Sequence, residues 1–170
     1  MKKILVFLFV LMFGFSSVYA QNNINDKVNF IKEVYRTIIT NDISHEDSDL
    51  YSPEFNFILN LDIALTAPGD LPNCGFDYDP LTQSQDGFVS SLDEIKIFPL
   101  ENGNIGVAFT LGMEKVFIML DVICYQDKCF IDDIIENHSG IVTSSKQSIL
   151  KCIKEDPMNN YFLKIFKFAN

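Results

Sequence analysis

The chain has 170 residues, with 23 acidic and 13 basic side chains, so its formal net charge is −10 at pH 7. Nucleic acid and anionic lipid are poor partners for such a surface, because both carry negative charge. The length suits one domain with a proper core.

The first twenty residues have the layout of a cleaved secretory signal. Lys2 and Lys3 precede the apolar run ILVFLFVLMFGF, and small residues follow up to Ala20. The run is too short for a permanent anchor, and no later segment has the apolar length of a membrane helix. We expect a signal peptide at 1–20, a single domain at 21–170, and a periplasmic or secreted protein without a stable membrane anchor. Removing the two leader lysines leaves 11 basic against 23 acidic side chains, which fits a basic protein partner, a cation or simple solubility.

Two helices are predicted at the start of the mature chain. From about Ile24 to Thr40, apolar residues recur at three- and four-residue steps and form one buried stripe. A second helix is expected from Pro53 to Leu65, because Ser52 can cap it and proline suits the first helical position.

A long segment without periodicity follows, from Thr66 to Gln85. Oxygen-bearing side chains are dense at its end, namely Asp77, Asp79, Gln83, Gln85 and Asp86. Their density suits calcium, but Leu81 stands where the helix–loop–helix calcium pattern needs an oxygen ligand. The alternative is that these side chains brace the loop's own backbone. We predict ligand binding by Asp77, Asp79, Gln85 and Asp86, together with Asp121 and Asp132 of the sheet, without a metal or cofactor.

Four antiparallel strands are predicted next. The first is Leu92–Leu100, and three more lie between Ile105 and Ile135, separated by the turn-like GMEK and YQDK. The first of these turns sets Phe109 against Ile118. Placing Cys124 opposite Cys129 sets the last pair of strands in register. In that register Val122 faces Ile131, Ile123 faces Phe130, and Asp121 faces Asp132.

This register divides the strand residues between two faces. The core face is expected to carry Val107, Phe109, Leu111, Val116, Ile118, Leu120, Val122, Ile131 and Ile135, interrupted by Asp133. The opposite face carries Gly106, Ala108, Thr110, Phe117, Met119, Ile123, Phe130 and Ile134, with Asp121 and Asp132 side by side. Small residues along one of its strands leave room for a helix, a ligand or a second subunit, so a dimer is compatible with the pattern.

Four cysteines lie in the mature chain, and an oxidising compartment permits them to pair. Of the three possible connectivities we favour Cys124 with Cys129, because these residues bracket a hairpin, and Cys74 with Cys152. The alternative is that some thiols are simply buried. A zinc site is not expected, since no C-x-x-C occurs and the chain has two histidines.

A last helix is predicted from Ser144 to Glu155 and is stopped by Pro157. The tail Tyr161 to Phe168 is strongly aromatic. It is interpreted either as a short helix or strand that closes the apolar end, or as a contact for a partner.

Three short motifs, in their order along the chain, resemble those of a known family. They are Ser52-Pro53-Glu54, Asp77-Tyr78-Asp79-Pro80 with Gln85-Asp86, and Cys129-Phe130-Ile131-Asp132-Asp133-Ile134. From about Phe30 to Glu155 the chain resembles the bacterial exported DUF3828 domain, although cysteine replaces a tryptophan of the last motif. The resemblance implies export and an α+β, NTF2-like (cystatin-like) cone, in which N-terminal helices pack on a curved four-stranded antiparallel sheet with a C-terminal helix added. The family has no known function, so the resemblance transfers no catalytic residue.

Three functions are compatible with these features. The first is a non-catalytic exported binding or interaction domain, favoured because no nucleophile and base pair is recognisable. The second is a small enzyme that uses Asp121 and Asp132 for proton transfer, since two neighbouring carboxylates separate their pKa values. The third is an envelope immunity protein that blocks a toxin. An acidic protein would associate quickly with the basic surface of such a toxin.

Overall fold

A computed structural model describes residues 24–40, 49–66, 73–84, 91–125, 128–138 and 141–156. Its helices are α1 (residues 24–39), α2 (Pro53–Leu65) and α3 (Ser145–Glu155). The strands are β1 (Lys96–Pro99), β2 (Ile105–Leu111), β3 (Glu114–Tyr125), β4 (Lys128–His138) and β5 (Ile141–Ser144). No helix within these residues is both long enough and apolar enough to cross a membrane. The predicted signal peptide and the aromatic tail lie outside the described residues.

The strands form one antiparallel sheet in the order β1-β2-β3-β4-β5. The prediction of four strands is therefore wrong, because Ile141 pairs with His138 and Ser144 pairs with Ile135 to add β5. Four residues are too few to show a clear alternation, so this strand has no periodic signal of its own. The first predicted strand is also shorter than expected, since Leu92–Glu94 forms a 3₁₀ turn before β1.

The hairpin between β2 and β3 is tighter than expected. Phe109 pairs with Val116 rather than with Ile118, and only Gly112 and Met113 separate the two strands. Gly112 has φ 62°, which a two-residue hairpin turn requires and glycine adopts without strain. A register shift of two residues keeps every side chain on its predicted face.

A β-bulge changes the second predicted register. Val122–Ile131 and Cys124–Cys129 pair as expected, but the register shifts between Val122 and Asp121. Asp121 consequently faces Asp133, so its predicted position opposite Asp132 is wrong. Beyond the bulge it is Ile134, fully buried, that enters the core in place of Ile135.

The core lies between one face of the sheet and the helices. Each helix contributes a buried stripe, as its spacing predicts, and the loop before β1 inserts Leu81, which is fully buried. The buried helix residues are Ile31, Val34, Tyr35, Ile38, Phe55, Ile58, Ile149 and Ile153, and the sheet supplies Val107, Phe109, Ile118, Leu120, Val122, Ile131 and Ile134.

Candidate functional site

Asp132 lies where α2, α3 and β4 meet. Its carboxylate accepts a hydrogen bond from the Ser52 hydroxyl at 2.6 Å and one from the Lys146 ammonium at 2.9 Å. The same ammonium bonds Glu54 at 2.9 Å, while the Ser52 oxygen accepts from the Phe55 N–H and caps α2. One carboxylate thus joins the N-terminus of α2 to that of α3.

The charges at this junction stabilise each other. Burial by itself raises the pKa of Asp132, but the hydrogen bonds from Ser52 and Lys146 and the ammonium charge outweigh it and lower the pKa. Burial by itself lowers the pKa of Lys146, and Glu54 and Asp132 together more than reverse this effect. Both groups are held in their charged forms, which suits a structural ion pair better than proton transfer.

Asp133 has a separate structural role. It accepts a hydrogen bond from the Ser144 hydroxyl at 2.5 Å and one from the Lys146 backbone N–H at 3.0 Å, at the start of α3. Negative charge at this end of a helix is favourable. The carboxylate of Asp121, by contrast, accepts no hydrogen bond in the described part of the chain. The carboxylate pair on which the enzyme hypothesis depended is therefore not formed: Asp132 serves the helices, and Asp121 faces a residue that caps one of them.

Asp79 braces its own loop. Its carboxylate accepts hydrogen bonds from the backbone N–H groups of Leu81 and Thr82, and its backbone pairs with that of Ser84. The Tyr35 hydroxyl donates to the Leu81 carbonyl at 2.7 Å, which fixes the loop on α1. Burial, with the nearby Asp79 charge, raises the pKa of Tyr35 well above its ordinary value, so this phenol stays a donor.

The remaining predicted ligand residues of the loop are described only in part. Asp77 lies within the described loop, whereas Gln85 and Asp86 lie outside the described residues. No group of three His, Cys, Asp or Glu side chains among the described residues could hold a metal ion. Ligand binding by Asp77, Asp79, Gln85, Asp86, Asp121 and Asp132 stays a prediction.

Sequence reasoning missed two carboxylates that hold this loop. Glu136 of β4 accepts hydrogen bonds from the Tyr78 hydroxyl and the Gln83 amide, and burial together with this contact raises the pKa of Tyr78. Asp62 of α2 is 3% exposed and accepts from the N–H groups of Cys74 and Gly75. Asp62 had a sequence signal, since a charge in the buried stripe of a helix requires a partner.

Both favoured disulfides are present. Cys124 bridges Cys129 across the β3–β4 hairpin, and Cys74 bridges Cys152 of α3 over a separation of 78 residues. The described residues contain no free cysteine.

The second face of the sheet lies outside the core cluster and is largely apolar, with Asp121 between Met119 and Ile123 of β3. We call it the outer face and define it by Phe98, Gly106, Ala108, Phe117, Met119, Ile123, Phe130 and Ile135. The rings of Phe98 and Phe117 are stacked with centroids 6.2 Å apart and are 37% and 42% exposed. The stack lies over Gly106, where a Cβ atom would come within 2.9 Å of the Phe98 ring. Glycine therefore lets the two rings meet, and the space predicted for a helix, a ligand or a second subunit is taken at this position by the sheet's own side chains.

Comparison with known proteins names no activity. No family model and no curated protein matches the sequence. A solved structure of a protein of unknown function from Bacteroides thetaiotaomicron VPI-5482 is similar, with a TM-score of 0.45 and 18% identity, over 71% of this chain and 94% of that chain.

Proposed function

We propose that this protein is an exported, non-catalytic interaction domain that binds a protein partner through the outer face. The observation that carries the proposal is the exposed Phe98–Phe117 stack, which adjoins the apolar side chains of Ala108 and Met119 on the outer face. Contiguous apolar surface of this kind on a soluble domain marks an interaction site, and aromatic side chains dominate binding energy at such sites.

The charge of the chain specifies the chemistry of the partner. With a net charge of −10, the protein attracts a surface rich in lysine and arginine, and opposite charge accelerates encounter. The partner is therefore a basic protein that presents an apolar patch to the stacked rings.

Export is supported by the signal-like leader at 1–20 and by the two disulfides, which persist in oxidising compartments. We also propose that the chain belongs to the DUF3828 family and has its NTF2-like cone, a proposal that rests on the three motifs, of which two are in contact. Ser52 of the second-helix motif is hydrogen-bonded to Asp132 of the closing-strand motif, 80 positions later.

The test places a photoreactive amino acid at position 117 in the producing organism, with position 113 as control. Met113 is fully exposed at the β2–β3 turn and carries no neighbouring aromatic stack. We expect one discrete adduct from position 117 that weakens in high salt and disappears with Phe98→Ser.

The captured protein is then tested with the purified domain. Phe117→Ser is expected to weaken binding about tenfold or more, whereas Met113→Ser leaves it unchanged. Equal adducts from the two positions, or equal affinities of the two variants, would refute the proposal.

A further inference from the structure

Two rows of apolar side chains run across the strands of the outer face. The first row, from β1 to β4, is Phe98, Gly106, Met119 and Ile135. The row beside it contains Ala108, Phe117 and, beyond Asn137, Val142 of β5, which is 60% exposed. We call these seven apolar residues the apolar band. Because neighbouring strands lie about 4.8 Å apart, the band is about 19 Å long from β1 to β5.

The band is narrow in the direction of the strands. Along β3 the outer-facing positions are, in succession, Lys115, Phe117, Met119 and Asp121. Only two apolar side chains, about 7 Å apart, therefore separate a lysine from an aspartate. Asp133 of β4 lies opposite Asp121, so one long side of the band is acidic.

This shape suits a rod that lies across the strands. A sheet packed with its strands aligned to these would place apolar side chains over Lys115 and Asp121. An α-helix is about 10 Å in diameter and presents one narrow apolar stripe, and about 13 residues of helix cover 19 Å. A helix that crosses the strands thus covers the band and leaves the charged side chains at its flanks.

The acidic side of the band specifies the charge of that helix. Asp121 is half-buried, and its carboxylate accepts no hydrogen bond within the described residues. Asp133 accepts from Ser144 and from the Lys146 N–H, but neither of these donors is a cation. Carboxylates at facing positions repel, so a cation placed beside Asp121 is favourable. A second copy of this chain is a poor occupant, because each copy has a net charge of −10.

We propose that the apolar band binds an amphipathic α-helix of the partner, which lies across the strands and directs a lysine or arginine at Asp121. The inference rests on the proposed function and deepens it, because it names the element of the partner that the outer face recognises. It also names Asp121 as a residue that determines specificity.

The test places a photoreactive phenylalanine derivative at position 98 and, separately, at position 142. The adduct sites on the captured partner are mapped by mass spectrometry. We expect both adducts in one segment, about 12–14 residues apart, because a helix rises 1.5 Å per residue over the ~19 Å that separate β1 from β5.

Other patterns of adducts overturn the helix. An extended segment across the strands gives sites about 6 residues apart, and a partner sheet with aligned strands gives sites in separate segments. An adduct at position 117 without one at position 142 shows that the band is not covered along its length. Each of these outcomes leaves the proposed function intact, whereas equal adducts from positions 117 and 113 refute the proposed function itself.

The role of Asp121 is tested with a synthetic peptide of the captured segment that carries one tryptophan. The chain itself has no tryptophan, so peptide fluorescence reports binding directly. We expect Asp121→Asn to weaken binding about fivefold or more, because it removes the partner of a cation. Asp93→Asn, at an exposed residue before β1, removes the same charge and leaves the affinity within about twofold. Equal weakening by the two variants, or none by either, overturns the role of Asp121.

Discussion

Asp132 and Lys146 form a partly buried ion pair that connects three elements. Their side chains are 19% and 15% exposed, and each contacts a second partner, Ser52 and Glu54 respectively. Partial burial weakens screening by water and salt, so this pair contributes more to stability than a surface ion pair does. The exposed pair between Lys151 and Glu155, at 4.0 Å, illustrates the weaker kind.

Replacement of Asp132 by alanine is expected to destabilise the fold by about 1.5–3 kcal/mol, because it removes the acceptor of two charge-assisted hydrogen bonds. Asp121→Ala is the matched control on the facing strand and should change the free energy of unfolding by less than about 0.5 kcal/mol. Urea unfolding of both variants measures the difference. Similar losses would show that the two aspartates have equivalent roles.

Acid should weaken this junction. The folded-state pKa of Asp132 is lowered, so its extra stability is fully present above its unfolded pKa of about 4 and is lost as pH falls through the folded value. The stability difference between the native protein and Asp132→Asn should therefore shrink from pH 7 to pH 3. Urea midpoints at several pH values measure it, and a difference that stays constant with pH would contradict the assignment.

At the scale of the elements, helices α2 and α3 each begin at a serine cap that is hydrogen-bonded to β4. Ser52 and Ser144 each accept a backbone N–H of the helix they precede, and each donates to a neighbouring aspartate of β4, Asp132 and Asp133. At the bulge, these two consecutive aspartates each lie beside one of the two caps. One strand thus sets the start points of both helices.

Ser144→Ala is expected to cost about 1 kcal/mol through loss of the α3 cap. Ser52→Ala should cost more, roughly 2 kcal/mol, because Ser52 is buried whereas Ser144 is only half-buried, so water replaces the lost hydrogen bonds less well at Ser52. Ser148→Ala, the same change at an exposed position within α3, is the control and should be neutral or slightly stabilising. Thermal unfolding ranks the three variants, and equal effects at Ser52 and Ser148 would contradict the capping role.

At the scale of the whole molecule, the two disulfides close loops of very different length. The Cys74–Cys152 bridge joins the end of the loop after α2 to α3, whereas Cys124–Cys129 closes a single hairpin. The hairpin bridge closes a loop of only a few residues, so it restricts the unfolded chain less than the long-range bridge does.

Removing Cys74 and Cys152 as a pair should cost about 4.5 kcal/mol in the loop-entropy model, against about 2 kcal/mol for Cys124 and Cys129. The separations of 78 and 5 residues determine this order. Double serine variants of each pair, compared by urea unfolding without reductant, measure the two losses. A larger loss for the hairpin pair would show that strain or residual structure, not loop closure, governs their contribution.

Local signals in the sequence determined the helices, the Ser52 cap of α2 and the hairpin disulfide. The stripe of α1, the Ser52-Pro53 start of α2 and the β2–β4 strands follow from periods of a few residues, which neighbouring side chains impose by themselves. The faces assigned to β2 and β3 also hold, because a two-residue error in register does not move a side chain to the other face.

Only the tertiary structure decided the bulge, the fifth strand and the roles of the aspartates. Asp132 finds its partners 80 and 14 residues away in sequence, and Glu136 finds Tyr78 at a distance of 58 residues. Such contacts have no periodic signature, because they depend on how separate elements dock. Asp121 therefore pairs with Asp133 and not with Asp132. The Asp132 and Asp133 carboxylates find hydrogen-bond donors at the helix N-termini, which regular strand pairing would not provide.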